Sequence, residues 1–90
     1  MENLTKRRDR HDIVAEILQT AMEAKIKTHI MYKAKLSYDQ INKYLGLLVK
    51  KGFLENMTVK RRRQNRTLYR TTEDGITLLH HMESADRLFE

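Results

Sequence analysis

The sequence predicts a mostly helical α+β domain, and three observations support this fold class. Before Gly52 the apolar residues recur at helical spacing, the residues that follow alternate roughly by twos, and the last segment returns to helical spacing. Ninety residues with 40% hydrophobic content suit a single domain, residues 1–90, that buries one core. We therefore expect helices first, then a β-hairpin, then a last helix.

The composition excludes several kinds of site and segment. The chain has no cysteine, which excludes disulfides, thiolate zinc sites and cysteine nucleophiles. No apolar run is longer than three residues, whereas a helix that spans a bilayer needs about 20. The basic N-terminus is not followed by the apolar segment of a signal peptide. These features predict a soluble intracellular protein.

The N-terminal third predicts two helices with one extended segment between them. Residues 1–8 are polar and are expected to form a frayed arm. In residues 9–23 the apolar side chains form one stripe with charges opposite, which predicts an amphipathic helix. Residues 24–28 predict a single extended strand, and the hydroxyl of Thr28 is expected to cap a short helix over residues 29–34.

The segment from Ser37 to Gly52 carries the clearest helix boundaries of the chain. Ser37 and Gln40 have the spacing of a capping box, and Gly52 stands where a left-handed residue closes a helix. The inner face holds Ile41, Tyr44, Leu45 and Leu48, and the outer face holds Asp39, Asn42, Lys43, Gly46 and Lys50. Because only residues 35–36 link this helix to the preceding one, the pair predicts a helix-turn-helix.

After Gly52 the sequence predicts a β-hairpin. Residues 53–59 and 66–71 are rich in β-branched and aromatic side chains and predict two antiparallel strands. The connection, residues 60–65, lacks the Asn-Gly or Gly-Gly pair of a two-residue turn. We therefore expect a longer, mobile loop in which Asn65 adopts a positive φ.

The C-terminal segment, residues 72–90, predicts a helix with a second surface to bury. Thr71 or Thr72 is expected to cap it, because acidic residues follow in the first turn, where the helix dipole favours anions. A narrow apolar seam with spacings of 4, 3 and 4 consists of Leu78, Met82, Ala85 and Phe89. A seam of this kind at a chain end predicts a homodimer interface.

The charge distribution indicates a polyanionic partner. Residues 28–71 carry a net charge of +9, whereas the two flanking segments together carry −3. Five Lys and Arg residues lie between Lys60 and Arg66. Such crowding is unfavourable unless an anion is near, and a basic surface on phosphates gains free energy by releasing counterions. A solvated basic face without a partner is the alternative.

The order of elements is that of a winged helix-turn-helix: three core helices, a two- to three-stranded antiparallel wing sheet and a C-terminal helix. The segments THIMYKAKLSYDQINKYLGLLVKKGFLE and LYRTTEDGITLL resemble small archaeal winged helix-turn-helix DNA-binding proteins, chromatin-associated or transcription-regulating. In that family Met-Tyr-x-Ala-x-Leu-Ser-Tyr leads into the recognition helix, and Tyr-x-Thr-Thr-x-x-Gly opens the last helix. The resemblance implies a homodimer on double-stranded DNA, with the recognition helix, residues 37–51, in the major groove and the wing, residues 60–66, on the backbone or minor groove.

Two groups of side chains are expected to contact DNA. Asn and Gln match adenine with two hydrogen bonds and Lys reaches guanine acceptors, so the candidates for base edges are Gln40, Asn42 and Lys43. The expected contacts to the DNA backbone or minor groove are Lys33, Lys35, Ser37, Tyr38, Lys60, Arg61, Arg62, Arg63 and Arg66. Solvent-facing polarity without DNA contact is the alternative for each of them.

No enzyme, metal or cofactor is expected. His80 and His81 are adjacent and point about 100° apart on a helix, so they do not chelate one metal ion. No serine has a plausible base and orienting acid, and the chain lacks a glycine-rich phosphate loop. A cytoplasmic, nucleoid-associated protein without a small-molecule effector is the expectation. The alternative functions are a winged-helix protein-interaction module in a larger assembly and RNA binding.

Overall fold

The computed structural model describes residues 9–87. The elements are α1 (Arg10–Thr20), β1 (Lys25–Ile26), α2 (Lys27–Ala34), α3 (Tyr38–Lys50), β2 (Leu54–Arg61), β3 (Gln64–Thr71) and α4 (Glu73–Arg87). Four helices and a three-stranded antiparallel sheet therefore follow one another in the predicted order. The expected arm, residues 1–8, and Phe89 of the expected seam lie outside the described residues.

The first helix begins as predicted and ends earlier than predicted. The carboxylate of Asp9 accepts a hydrogen bond of 2.9 Å from the backbone N–H of Asp12, which caps the N-terminus of α1. At the other end α1 stops at Thr20, three residues before the predicted boundary. The backbone N–H of Thr71, the last residue of β3, donates to the carbonyl of Ala21 at 2.9 Å. This hydrogen bond satisfies a carbonyl that the helix leaves unpaired at its end.

The second helix begins at Lys27, and the prediction that Thr28 caps it is wrong. Ile26 is the N-cap residue, and its side chain makes no capping hydrogen bond. Because Ile26 pairs with Leu68 in the sheet, its backbone is extended and the helix starts directly after the strand. At the other end Lys35 adopts a left-handed conformation with φ 57°, which turns the chain towards α3.

The third helix has the predicted caps at both ends. The backbone N–H of Gln40 donates to Ser37 Oγ at 3.2 Å, and the N–H of Ser37 donates to Gln40 Oε1 at 2.9 Å. Gly52 has φ 83°, and the N–H of Phe53 donates to the carbonyl of Leu48 at 2.9 Å. This pattern is the predicted Schellman closure.

All four helices and β2 contribute to one core. The buried apolar residues are Ile17, Leu18, Ala21, Ile30, Ala34, Ile41, Leu45, Leu48, Leu54 and Leu79. Each fully buried Ile or Leu contributes about 1.5–3 kcal/mol relative to an exposed one. The predicted inner face of α3 is confirmed, with Tyr44 half-buried beside it, and the opposite face is left to solvent.

The wing is longer and its turn tighter than predicted. The strand order is β1, β3, β2, and the pairing of β2 with β3 continues from Leu54 opposite Thr71 to Arg61 opposite Gln64. Lys60 and Asn65 are thus paired strand residues, and the predicted loop over residues 60–65 is wrong. The turn consists of Arg62 and Arg63, and the positive φ belongs to Arg62, at 46°, and not to Asn65. Pairing out to the tip outweighs the roughly 1–2 kcal/mol that a left-handed conformation costs a non-glycine residue.

The last helix is capped by Thr72, which was one of the two predicted caps. Thr72 Oγ1 accepts from the N–H of Gly75 at 3.0 Å and donates to the carbonyl of Gly52 at 2.6 Å. Helix α4 packs against α1 and buries Leu79. None of the helices in residues 9–87 has the length and apolar character needed to cross a membrane.

Candidate nucleic-acid interface

The outer face of α3 and the wing form the candidate interface. Because the inner face of α3 packs on the core, the polar residues of its outer face project into solvent. The exposed residues from the turn into this helix are Ser37, Tyr38, Asp39, Gln40, Asn42, Lys43, Gly46 and Leu47. Leu47 is the aliphatic residue of this set and is 46% exposed. A polar helix face of this kind has the shape and chemistry to enter a nucleic-acid groove.

A cluster of Lys27, Tyr38 and Asn42 lies at the N-terminal end of α3, and we call it the lysine cluster. Tyr38 and Asn42 are four residues apart and so share one side of the helix. Lys27, from the start of α2, donates from Nζ to Asn42 Oδ1 at 2.8 Å and to the Tyr38 hydroxyl at 3.4 Å. Its ammonium also lies 4.8 Å from the centre of the Tyr38 ring, within cation–π range.

The lysine cluster changes the acidity of one tyrosine. The hydrogen bond from Lys27 lowers the pKa of the Tyr38 phenol, and hydrogen bonding to Asn42 and the positive charge of Lys27 lower it further. The positive charge of Lys27 therefore acts on both Tyr38 and Asn42. Lys27 was missed in the sequence analysis. It lies 15 residues before Asn42, and no local pattern indicates a contact across that separation.

Two expected contact residues are already used by the capping box. Ser37 Oγ accepts from Gln40 N–H, and Gln40 Oε1 accepts from Ser37 N–H. Gln40 therefore keeps its amino group, but not its carbonyl oxygen, for an outside partner without disturbing the cap. Lys43 lies further along the helix, where it lines a shallow depression together with Arg10, Tyr44 and Leu47. Lys33 and Lys35 are exposed at the end of α2, next to the turn.

The wing distributes its five cations over its tip and both faces. Side chains of directly paired residues lie on the same face of a sheet. Arg66, opposite Val59, therefore shares a face with Arg61, opposite Gln64, whereas Lys60 and Asn65 lie on the other face. Arg62 and Arg63 form the turn itself. The wing thus presents positive charge in several directions at once.

Arg70, in the hairpin but outside residues 60–66, forms an ion pair within the chain. Arg70 donates from both Nε and a terminal nitrogen to Glu55 Oε2, at 3.0 and 2.7 Å, across the two strands. Among the side chains that the structure describes, residues 9–85, no carboxylate forms an ion pair with the five cations of residues 60–66. The uncompensated charge of the hairpin is therefore concentrated at its outer end.

The described part of the expected seam on α4 is only partly buried within one chain. Leu78 packs against the core, and Met82 and Ala85 are half-buried. The side chains of Glu83 and Ser84, on the other side of the helix, are exposed.

Comparisons with known proteins identify relatives with this architecture. The structure is similar to that of Sso10a-2, a DNA-binding protein from Sulfolobus solfataricus, with 31% sequence identity, a TM-score of 0.79, and coverage of 90% of this chain and 81% of that one. The Sulfolobus relative is described as a DNA-binding protein. Comparison with curated protein sequences gives no match.

Two bacterial structures share the fold at lower identity. Smu.1704 from Streptococcus mutans UA159 has a TM-score of 0.84 at 18% identity and covers 96% of this chain and 86% of its own. A PadR family transcriptional regulator from Eggerthella lenta DSM 2243 has a TM-score of 0.77 at 18% identity, with coverage of 89% and 76%. Residues 7–90 match the family model described as winged helix-turn-helix. The chain therefore belongs to the winged helix-turn-helix family.

Proposed function

We propose that this protein binds double-stranded DNA as a homodimer, either as a transcriptional regulator or as a small chromatin protein. The observation that supports this most directly is the pairing of a polar, capped helix, α3, with a hairpin whose outer end carries five cations. No carboxylate among the described side chains of residues 9–85 compensates them. Counterion release on a phosphate backbone makes such an arrangement favourable. The Sulfolobus relative, which is described as DNA-binding, supports the same function.

In the proposed complex α3 enters the major groove and the wing contacts the backbone or the minor groove. The major groove is about 12 Å wide and admits an α-helix, whereas arginines suit both phosphates and narrow minor grooves. Asn42, Lys43 and the amino group of Gln40 face the bases. Lys33, Lys35, Ser37 and Tyr38 address phosphates near the N-terminus of α3, where free backbone N–H groups point outwards.

The experiment that tests duplex binding is a salt titration of affinity with a matched pair of double variants. Arg62→Ala with Arg63→Ala removes two cations of the wing tip, whereas Lys25→Ala with Lys51→Ala removes two cations outside α3 and the wing tip. Because each phosphate contact adds about 0.9 to the slope of log K against log salt, we expect the wing variant to lower that slope by about two. The other double variant should leave the slope nearly unchanged.

The choice of nucleic acid and the regulatory role are separated by further measurements. Binding to duplex DNA should exceed binding to duplex RNA of the same sequence, and the absence of duplex DNA binding at low salt contradicts the proposal. A selection of bound sequences then distinguishes the two roles. A palindromic site favours a sequence-specific regulator and gives the half-site spacing, whereas no enriched sequence favours a chromatin protein.

A further inference from the structure

The orientation of the Asn42 carboxamide is fixed by its partner. A lysine ammonium has donors and no acceptor, so the atom that faces Lys27 Nζ at 2.8 Å must be the carbonyl oxygen of Asn42. The amino group of Asn42 is therefore turned away from Lys27. This assignment follows from chemistry alone, although the two ends of an amide have nearly the same shape.

Lys27 is itself held in place by a second residue of α3. Its ammonium contacts both the hydroxyl and the ring of Tyr38, and Tyr38 stands one helical turn before Asn42. Lys27 is the first residue of α2. It directly follows Ile26, which pairs with β3, so its backbone position is fixed by the sheet. The lysine cluster thus combines a fixed backbone with contacts at both ends of one turn of α3.

The exposed edge of the lysine cluster consists of hydrogen-bond donors. An ammonium has three donors, of which Asn42 and Tyr38 take two, and the amino group of Asn42, which also hydrogen bonds to Tyr38, adds one more. Adenine presents an acceptor and an amino donor in the major groove, whereas guanine presents two acceptors. The adenine amino group would have to donate to the Asn42 oxygen, which already accepts a hydrogen bond from the Lys27 ammonium. The positive charge of that ammonium disfavours a second donor at this position.

We propose that Lys27 is a specificity-determining positioning residue, which turns Asn42 so that this part of α3 selects guanine rather than adenine. This inference rests on the proposed function, because it requires α3 to lie in the major groove. The residue type alone suggests that Asn42 forms two hydrogen bonds with adenine, and this inference replaces that contact. One well-formed base contact discriminates against the wrong base by about tenfold or more, so the effect on sequence preference is measurable.

The test is a selection of bound duplex sequences by the wild type, four single variants and the double variant Asn42→Ala with Lys27→Met. Lys27→Met removes the ammonium and keeps a side chain of similar length. Lys33→Met is the matched control, since it removes an exposed lysine from the same helix. Asn42→Ala identifies the base position that this residue reads, and Lys27→Arg restores the donors.

The inference predicts a specific pattern across these variants. The wild type and Lys27→Arg should prefer guanine over adenine at the position where Asn42→Ala loses its preference. Lys27→Met should shift that preference towards adenine by about tenfold. Lys33→Met should weaken binding to all sequences alike. In the Asn42→Ala background, Lys27→Met should have no further effect on base preference.

Failure of this inference is distinct from failure of the proposed function. Duplex binding in which Lys27→Met keeps the wild-type base preference overturns the role of Lys27 alone. A wild type that prefers adenine at the Asn42 position, or that shows no base preference, also overturns it. Absence of duplex binding by the wild type contradicts the proposed function and this inference together.

Discussion

The hydroxyl of Thr71 donates a hydrogen bond of 2.7 Å to the backbone carbonyl of Leu18, across 53 residues of sequence. Thr71 is the last residue of β3 and is 5% exposed, and Leu18 belongs to the fully buried part of α1. The backbone N–H of Thr71 also donates to the carbonyl of Ala21. Thr71 therefore donates hydrogen bonds to two backbone carbonyls at the end of α1. The position of the wing relative to the helices therefore depends on Thr71.

Replacing Thr71 should reduce stability without changing the shape of the core. Thr71→Val keeps the volume but leaves the Leu18 carbonyl buried and unpaired, which costs about 1–3 kcal/mol. The measurement is urea unfolding followed by circular dichroism. The control is Thr67→Val, an exposed position on the same strand, where we expect a change within about 0.5 kcal/mol. Equal stability of the two variants would show that the Thr71 hydroxyl contributes little.

The two turn residues of the wing should respond differently to glycine. Arg62 has a positive φ, whereas Arg63 does not, so only Arg62→Gly relieves a left-handed strain of roughly 1–2 kcal/mol. Arg63→Gly adds chain entropy to the unfolded state and costs about 0.5–1 kcal/mol. Both variants lose one positive charge, so thermal unfolding isolates the backbone effect. Arg62→Gly should be the more stable variant, and the reverse order would contradict this geometry.

Two helical glycines should also respond in opposite ways to alanine. A Cβ at Gly75 would overlap the carbonyl oxygen of Phe53 and the methyl group of Thr71, so Gly75→Ala forces the start of α4 away from the wing. Overpacking of this kind typically costs about 1–3 kcal/mol. A Cβ at Gly46 meets nothing within 4 Å, and Gly46→Ala should raise stability by up to about 1 kcal/mol. Chemical denaturation of both variants checks the opposite signs.

The lowered pKa of Tyr38 makes the stability of the fold depend on pH. A depressed pKa in the folded state means that the phenolate is stabilised by folding. The contribution is complete above the unfolded pKa of about 10 and is lost as the pH falls through the folded pKa.

Absorbance titration of the phenolate measures this effect, with Tyr38→Phe used to assign the signal among the four tyrosines. Lys27→Met should raise the pKa of Tyr38. Lys25→Met is the matched control, because Lys25 contacts Glu23 instead. An unchanged titration in Lys27→Met would show that the lysine cluster is not formed in solution.

The proposed dimer interface is tested by charge insertion on the two sides of α4. Met82→Lys places a cation in the half-buried seam, whereas Ser84→Lys places it on the exposed side of the same helix. Sedimentation velocity should give a dimer for the wild type and for Ser84→Lys, and a monomer for Met82→Lys. Circular dichroism verifies that both variants remain folded. A wild type that stays monomeric at all concentrations excludes this interface.

The helix boundaries that depend on neighbours in sequence could be predicted, and those that depend on distant partners could not. Ser37 and Gln40 cap one another within one turn, and Gly52 closes the same helix through its own backbone. The start of α2 was missed because it is set by the pairing of Ile26 with Leu68 in the sheet. A strand partner more than forty residues away leaves no trace in local residue spacing.

The same limit applies to the candidate site. The charge of the wing and the polar face of α3 follow from residue types and periodicity, so these elements could be predicted. The tight turn at Arg62 contradicts the residue preferences of hairpins, because a long paired ladder compensates for an unfavourable residue. The contact between Lys27 and Asn42 depends on how two helices cross, which the sequence pattern does not specify.

The short length of β1 has a consequence for how copies of this protein avoid one another. Among the described residues, β1 pairs with Leu68 and Tyr69 of β3, so residues 64–67 of β3 form an open sheet edge that carries no third strand. Open edges invite strands from other molecules, and charged side chains are the usual protection against fibril-like stacking. The arginines around this edge repel the identical edge of a neighbouring copy. The proposed DNA contacts and the protection of this open edge therefore depend on the same side chains.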